Sequence, residues 1–473
     1  MPGNGGSRWF ALSVLSAATL MVVLDGSVVT IALPWIQRDL GFSQAGLAWV
    51  VNAYLIAFAG SLMLAGRLGD LAGRRRVFLL GMVVFTVASL LCGIAADRTA
   101  LVAFRFLQGV GGAMASAVVL GMIVTLFPEP RERAKAIGVY SFVQAGGASI
   151  GLIAGGVLTQ GLSWNWAFLV NLPIGVAAIA LTWRLVAADR GLGVREGADL
   201  AGAALVTGGL MLLVYTIVQA EEHSWSSARS LGLLAFSLAL LAGFVVRQAK
   251  AAKPLLPLRL FRARAVSGAN LVMVLMVAGL FGFQFITALY LQRVLELDAL
   301  WTGLAFLPAP VTIAVFSLGF AARLAERFGA RHVLVGGLVL VAISLAWLAR
   351  VPENGQYTVD VLPVLVLMGA GFGTAMPALM GQAMSGATEG DSGIASGLIN
   401  TTQQVGAAMG TAVLATAATT HSAGLLEAGV PEKTALTAGF QLSYGVSAGF
   451  VALAAVTAAV FFRRSAERVH AAR

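Results

Sequence analysis

The sequence predicts an all-α polytopic membrane protein of fourteen helices, and three observations carry that prediction. Of 473 residues, 59% are hydrophobic and only 11% are charged, whereas a soluble domain carries about 25% charged residues. The apolar residues fall in continuous runs of roughly 20, the length that crosses a bilayer as a helix. The runs carry Leu, Ala, Val and Gly on all faces, without the period-two alternation of a membrane β-strand.

The first run, 10–34, follows Arg8 and ends at Pro34; it exceeds a signal core and reads as a retained membrane helix. Runs 46–66 and 77–96 flank Leu64-Ala65-Gly66-Arg67-Leu68-Gly69-Asp70-Leu71-Ala72-Gly73-Arg74-Arg75-Arg76, which reads as a tight charged loop and makes them antiparallel neighbours. Run 99–127 encloses Arg105. Run 135–159 is glycine-rich, with Gly147, Gly151, Gly155 and Gly156 on a packing face, since small residues four apart let helices approach closely. Run 166–187 completes a first six-helix bundle, residues 1–190. Runs 199–220 and 230–249 lie in residues 191–250, and a Pro- and Arg-containing linker, 251–266, reads as amphipathic chain on the inner membrane surface. Runs 267–291, 301–321, 332–350, 360–383, 395–420 and 440–462 form the second bundle, residues 267–473.

An even number of crossings puts both termini on one side. With that side inside, most of the 31 Lys and Arg residues fall in inner segments; only Arg38, Arg98, Arg229, Arg293, Arg350 and Lys433 fall outside, and Arg105 lies within a helix. The acids divide evenly, with Asp25 left within a helix. Basic bias without acidic bias is the positive-inside pattern. It accounts for the net charge of +10 without nucleic acid, because the basic residues form no long basic segment. The excess of arginine over lysine and the abundance of alanine point to a GC-rich bacterial genome, hence to a bacterial cytoplasmic membrane with both termini inside.

The chain repeats itself. Arg, Leu, an acid, Gly and Arg recur at one spacing in Arg67–Arg75 and in Arg323-Leu324-Ala325-Glu326-Arg327-Phe328-Gly329-Ala330-Arg331. Both copies follow even-numbered helices, so they mark a parallel duplication. The second copy comes two helices late for a six-plus-six protein, which makes helices 7 and 8 an inserted pair.

Cys92 is the only cysteine, so no internal disulfide forms, and the four histidines are too scattered for a metal site. No glycine-rich loop followed by Lys-Ser or Lys-Thr is present, which leaves no ATP site evident and an ion gradient as the energy source, with no cofactor.

Several stretches resemble one group. Gly66-Arg67-Leu68-Gly69-Asp70-Leu71-Ala72-Gly73-Arg74-Arg75 is similar to the signature loop of the major facilitator superfamily. Leu24-Asp25-Gly26-Ser27 through Pro34 resembles a first-helix motif of its fourteen-helix drug:proton antiporters, the EmrB/QacA type. Arg105-Phe106-Leu107-Gln108-Gly109 is similar to the family's proton-coupling motif, and Trp164-Asn165-Trp166 through Gly175 also looks like that group. Helix 5 departs from it: Leu152 follows Gly151 where the exporters' glycine-proline pair is absent. The resemblance implies the major facilitator fold, two six-helix bundles plus two inserted helices, and proton-coupled export of small hydrophobic or cationic compounds by alternating access.

Asp25 and Arg105 are the lone charges inside helices, at similar depth in one bundle. A carboxylate there costs about 2.5–3.5 kcal/mol on insertion scales. Two readings remain open: a protonation switch, or an ion pair holding helix 1 to helix 4. Gly66, Arg67, Asp70, Gly73, Arg74 and Arg75 are expected to form an inner gate, and Arg323, Glu326, Gly329 and Arg331 a weaker second one. Asn52, Tyr54, Gln108, Gln144, Asn270, Phe281, Gln284, Phe285, Asn400 and Gln403 are candidates to line a substrate cavity, each with helix–helix hydrogen bonding as the plainer alternative. The expected partners are a small amphipathic substrate, protons and membrane lipid, with the chain a monomer. A lipid or metabolite carrier on the same fold, or a membrane-embedded transferase, are the rival readings.

Overall fold

A computed structural model describes residues 5–42, 44–189, 191, 193, 199–223, 227–251, 254, 256, 258–297, 299–385 and 392–462. Nearly all of them are helical, and among the described residues no strand occurs. The chain divides into two compact units, Met1–Arg262 with Ala387–Thr401, and Ala263–Gly386 with Thr402–Arg473. Among the described residues eleven helices are long and apolar enough to cross a membrane.

The first unit contains α1 (Gly5–Leu40), α2 (Gln44–Ala72), α3 (Arg74–Gly93), α4 (Arg98–Leu126), α5 (Pro130–Gly161), α6 (Trp166–Leu169), α7 (Asn171–Leu185), α8 (Leu200–His223), α9 (Ala228–Lys250) and α10 (Arg259–Arg262). In it α1 packs on α5 and α7, α2 on α4 and α8, and α3 on α4 and α7. Apolar burial drives little of this in lipid, where tails are as apolar as Leu, so close backbone approach carries the packing. A Cβ on Gly147, Gly151 or Gly155 of α5 would meet Val23, Ser27 and Val28 of α1 at 2.9, 2.7 and 3.0 Å. Gly109 and Gly111 seat α4 against the backbones of Tyr54 in α2 and Phe85 in α3. The α8–α9 pair docks through α8, whose Met211 fills the space over Gly60 of α2. The apolar stretch of α9 is only 17% buried, which leaves it the lipid-facing member.

Asp199 ties the pair together. Its carboxylate accepts hydrogen bonds from the Gly202 N–H (2.9 Å), Arg247 Nε (2.9 Å) and Gln248 Nε2 (2.9 Å). Burial pushes this carboxyl up, but those hydrogen bonds and the Arg247 charge outweigh it and hold it below the ordinary carboxylate range.

The second unit holds α11 (Arg264–Arg293), α12 (Ala299–Ala305), α13 (Pro308–Ala314), α14 (Ala321–Phe328), α15 (Ala330–Leu348), α16 (Leu362–Ser385), the Thr402–Glu427 part of α17 (Ser392–Glu427) and α18 (Glu432–Phe461). Here α11 packs on α16 and α18, α15 on α16 and α18, and α13 on α16. Gly406 and Gly410 of α17 lie against the backbone of Val274 and Ala278 in α11.

One expectation needs correction, and two runs are less uniform than expected. The stretch Leu64–Arg76 is not a loop: α2 continues to Ala72 and α3 starts at Arg74, with Gly73 alone between them. Helix outlasts the apolar run because Arg67 and Asp70 are themselves buried, at 7% and 4% exposure. The run 166–187 is one span, Trp166–Leu185, in which Val170, itself in α-helical geometry, separates the short α6 from α7. The run 301–321 lies in one span, Trp301–Phe328, but not as uniform α-helix: a tighter turn precedes Pro308, the first residue of α13, and Val315–Phe320 forms a π-helical stretch before α14. Proline has no N–H for the preceding turn, so the earlier helix cannot run through it unchanged.

Candidate functional site

The expected site residues of the first unit fall into two clusters. The first joins α1, α3, α4 and α7 within the membrane-spanning part. Asp25 is 1% exposed and Arg105 is fully buried. Arg105 Nη1 donates to Asp25 Oδ2 at 2.5 Å and to Gln108 Oε1 at 2.7 Å, while its Nε donates to the Val50 carbonyl at 2.8 Å. Asp25 Oδ1 accepts from Gln108 Nε2 at 2.7 Å and from Asn171 Nδ2 at 3.1 Å. Ser89 Oγ closes the network, accepting from Gln108 Nε2 (2.7 Å) and Asn171 Nδ2 (3.3 Å). Arg105 Nη2 has no hydrogen-bond partner. The guanidinium instead lies over the rings of Tyr54 and Phe168, 4.4 and 5.7 Å from their centroids, where the π faces attract the cation.

This arrangement joins α1 to α4 by a buried ionic contact. The guanidinium does not deprotonate in a protein. A proton on Asp25 would cancel the negative charge facing it and turn an oxygen that accepts two amide N–H groups, or the one facing Arg105, into a hydroxyl. Either way the packing of α1 against α4 loses its ionic contact.

The second cluster sits where α2 meets α3. Gly73 has φ 99°, a left-handed backbone region that favours glycine. Asp70, one turn earlier, accepts the backbone N–H groups of Gly393 (2.8 Å, Oδ1) and Ile394 (2.8 Å, Oδ2), the first amides of α17, which belong to the same unit. A carboxylate at a helix N-terminus satisfies orphan donors and complements the helix dipole. Gly66 and Gly397 let the two backbones close to that distance. Arg74 pairs with Asp70 (3.4 Å) and donates to Thr125 Oγ1 of α4 (2.8 Å). Arg75 donates to the Trp183 carbonyl and lies over the Trp183 ring, 4.9 Å from its centroid. Arg67 is 7% exposed, and its Nε has no hydrogen-bond partner.

In the second unit, the other motif copy has the same backbone break: Gly329, φ 82°, separates α14 from α15. Its polar residues are placed differently. Arg323 and Glu326 are exposed, and Arg331 Nη2 donates to the Ala459 carbonyl of α18 at 3.0 Å.

The cavity candidates disperse. Tyr54 and Gln108 belong to the charge cluster, the Tyr54 hydroxyl reaching the Val22 carbonyl at 3.5 Å. Gln144 donates to the Tyr140 hydroxyl (2.7 Å), and Asn400 to the carbonyls of Ser396 (2.9 Å) and Ser116 (3.4 Å). Asn270 accepts from Thr402 Oγ1 at 2.9 Å. Asn52, Gln284 and Gln403 are half-buried and Phe281 is exposed, with Gln403 Oε1 lacking a hydrogen-bond partner. The side chains of Phe285, Gly156 and Leu152 lie outside the described residues.

Sequence reasoning missed three contributors. Asn171 and Ser89 complete the charge cluster; the amide of Asn171, like that of Gln108, was a detectable anomaly in an apolar run. Asp189 carried no signal. Its carboxylate caps α3, accepting from the Arg74 N–H (2.7 Å) and the Arg75 N–H (3.1 Å), and nearby Gly193 N–H donates to the Leu71 carbonyl (3.0 Å).

A family model described as "Major Facilitator Superfamily" matches residues 15–411. The chain is 42% identical to the puromycin resistance protein pur8 of Streptomyces alboniger, over 89% of this chain and 83% of that protein. It is 39% identical to the cephamycin export protein CmcT of Amycolatopsis lactamdurans, over 86% of this chain and 84% of that one. Among solved structures, the human organic anion transporter MFSD10 matches 96% of this chain and 100% of its own with a TM-score of 0.64 at 14% identity, a likeness of fold.

Proposed function

The chain belongs to the Major Facilitator Superfamily, a family of multi-pass membrane transporters, and from that premise we propose that it exports small hydrophobic or cationic compounds of the antibiotic class in exchange for protons. The observation that carries the proton part is the buried Asp25–Arg105 pair at 2.5 Å, with no exposed surface on either side chain. Such a pair is retained at a cost in desolvation, and its position in a bundle of apolar helices suits an element read by proton arrival. The export part is supported by the names of the relatives, which speak of resistance to and export of antibiotics. Those names also weigh against a membrane-embedded transferase.

In this reading the protein alternates access between the two faces of the bacterial cytoplasmic membrane, both termini inside. Asp25 accepts a proton from outside, the ionic hold of α4 on α1 relaxes, and inward release of the proton restores it. Asp70, Arg74 and Gly73 act as a gate element at the inner end: their contact with the first amides of α17 exists in the present arrangement and breaks in another. Arg67 and Arg75 position that element.

The test uses inverted membrane vesicles with an imposed pH gradient and puromycin as the first compound. Wild-type vesicles accumulate it, an uncoupler abolishes the accumulation, and Asp25→Asn, still folded by gel filtration, loses the pH-driven component. Retention of pH-driven transport by that variant would remove Asp25 from the mechanism.

A further inference from the structure

We propose that the cleft between α2, α4 and α8 binds an anionic phospholipid, with one acyl chain in the cleft and the phosphate at Arg98. The cleft has a volume of about 760 Å³, within the range of sites that hold one small molecule. Its deep part is formed by Ile56, Phe106, Gly208 and Met211, and its other end by Trp49, Tyr215, Thr99 and Arg98. From Arg98 to Phe106 along α4 is about 12 Å at helical rise. The lining is thus amphipathic along its length, apolar inside and cationic at the rim.

The charge at that rim selects the occupant. Arg98 is the exposed first residue of α4. The neighbouring Asp97 is turned into its own helix, accepting the Ala100 N–H at 2.9 Å. Arg229 Nη2 donates to the hydroxyl of the lining residue Tyr215 at 3.4 Å. Among the described residues that line the cleft there is no acid. A guanidinium at the end of an apolar slot matches a phosphate with an attached chain, and it disfavours a cationic drug. The slot exists because α8, one of the two inserted helices, docks on α2 and leaves Gly208 facing open space, where a Cβ would meet nothing within 4 Å. Trp49 and Tyr215 stand at the headgroup end, ring centroids 5.7 Å apart, the place aromatic side chains favour at a membrane interface.

The site makes no reference to what is transported, so its test is independent of the proposed function. Purified protein is placed in nanodiscs of phosphatidylcholine containing increasing fractions of chain-brominated phosphatidylglycerol, and tryptophan quenching is recorded for wild type and Trp49→Phe. The difference isolates Trp49. Brominated phosphatidylglycerol is expected to quench Trp49 at low fractions and brominated phosphatidylcholine only at high ones. Arg98→Gln should raise the half-quenching fraction of phosphatidylglycerol about fivefold, the factor one arginine at an anionic surface supplies. Gly208→Leu, which fills the slot without a backbone clash, should abolish the preferential quench while the protein remains folded by gel filtration. Equal quenching of wild-type Trp49 by the two lipids, or an unchanged preference in Gly208→Leu, overturns the proposal.

Discussion

Substituting Asn for Asp25 keeps the shape of the side chain and removes one charge, and the surrounding hydrogen bonds determine the cost. In the wild type Oδ1 accepts from Gln108 and Asn171 and Oδ2 accepts from Arg105. Both sides of the carboxylate therefore face donors. An asparagine presents one oxygen and one NH₂, so in either orientation an N–H is set against an N–H. Arg105 keeps the Val50 carbonyl, Gln108 Oε1 and two ring faces, but its charge has lost its counter-ion at zero exposure. Breaking a buried pair from one side costs about 3–5 kcal/mol, several times the value of an exposed pair. The double variant Asp25→Asn/Arg105→Gln removes the stranded charge, and its loss should fall short of the sum of the two single losses by about 2 kcal/mol, a coupling typical of contacting residues. Equilibrium unfolding in mixed micelles measures all three differences. A single variant that costs less than about 1 kcal/mol, or a double variant whose loss is the sum of the two singles, would refute the view that the pair is an energetically coupled charge unit.

Three further substitutions probe the α2–α3 junction and its counterpart between α14 and α15. Gly73→Ala and Gly329→Ala both place a Cβ at positive φ, at a cost of about 1–2 kcal/mol. At Gly73 the Cβ also meets the Asp189 carbonyl at 2.9 Å, whereas at Gly329 the nearest atom is 4.0 Å away; thermal unfolding should therefore rank Gly73→Ala as the more damaging, and the reverse order would contradict the packing described. Asp189→Ala removes the acceptor for the Arg74 and Arg75 amides, a capping loss of about 1 kcal/mol. Hydrogen exchange at the start of α3 should accelerate about fivefold, with the end of α4 unchanged; equal protection in both proteins would mean that the cap does not hold the junction.

Much of the charge cluster was legible beforehand because its signal is energetic. An acid and an arginine within apolar runs stand out against lipid, and counting residues from the helix ends already set them at one depth. Gln108, three residues after Arg105, reads from the sequence as a polar residue of the helix-4 motif and a cavity candidate, since only the fold shows that it turns back to Asp25. The stretch Leu64–Arg76 misled in the opposite way. Its charges read as solvated loop, yet Arg67 and Asp70 are buried, because the carboxylate has two backbone amides to accept and so does not need water. No local pattern in the sequence announces a partner more than 320 positions away.

What the sequence by itself determined was the class of environment and the repeated plan. Apolar runs of bilayer length leave the backbone no choice but helix, and the arginine-rich motif marks both halves, each copy with a glycine at the same step. Gly73 and Gly329 do share their backbone conformation. Tertiary structure alone decided how each acid is placed. Asp70 is buried against the amides of Gly393 and Ile394 while Glu326, its counterpart in the repeat, is exposed. Asp189, one loop residue among many, caps α3. A carboxylate's role depends on which unpaired N–H groups come within about 3 Å of it, and that distance is set by how helices remote in sequence pack together.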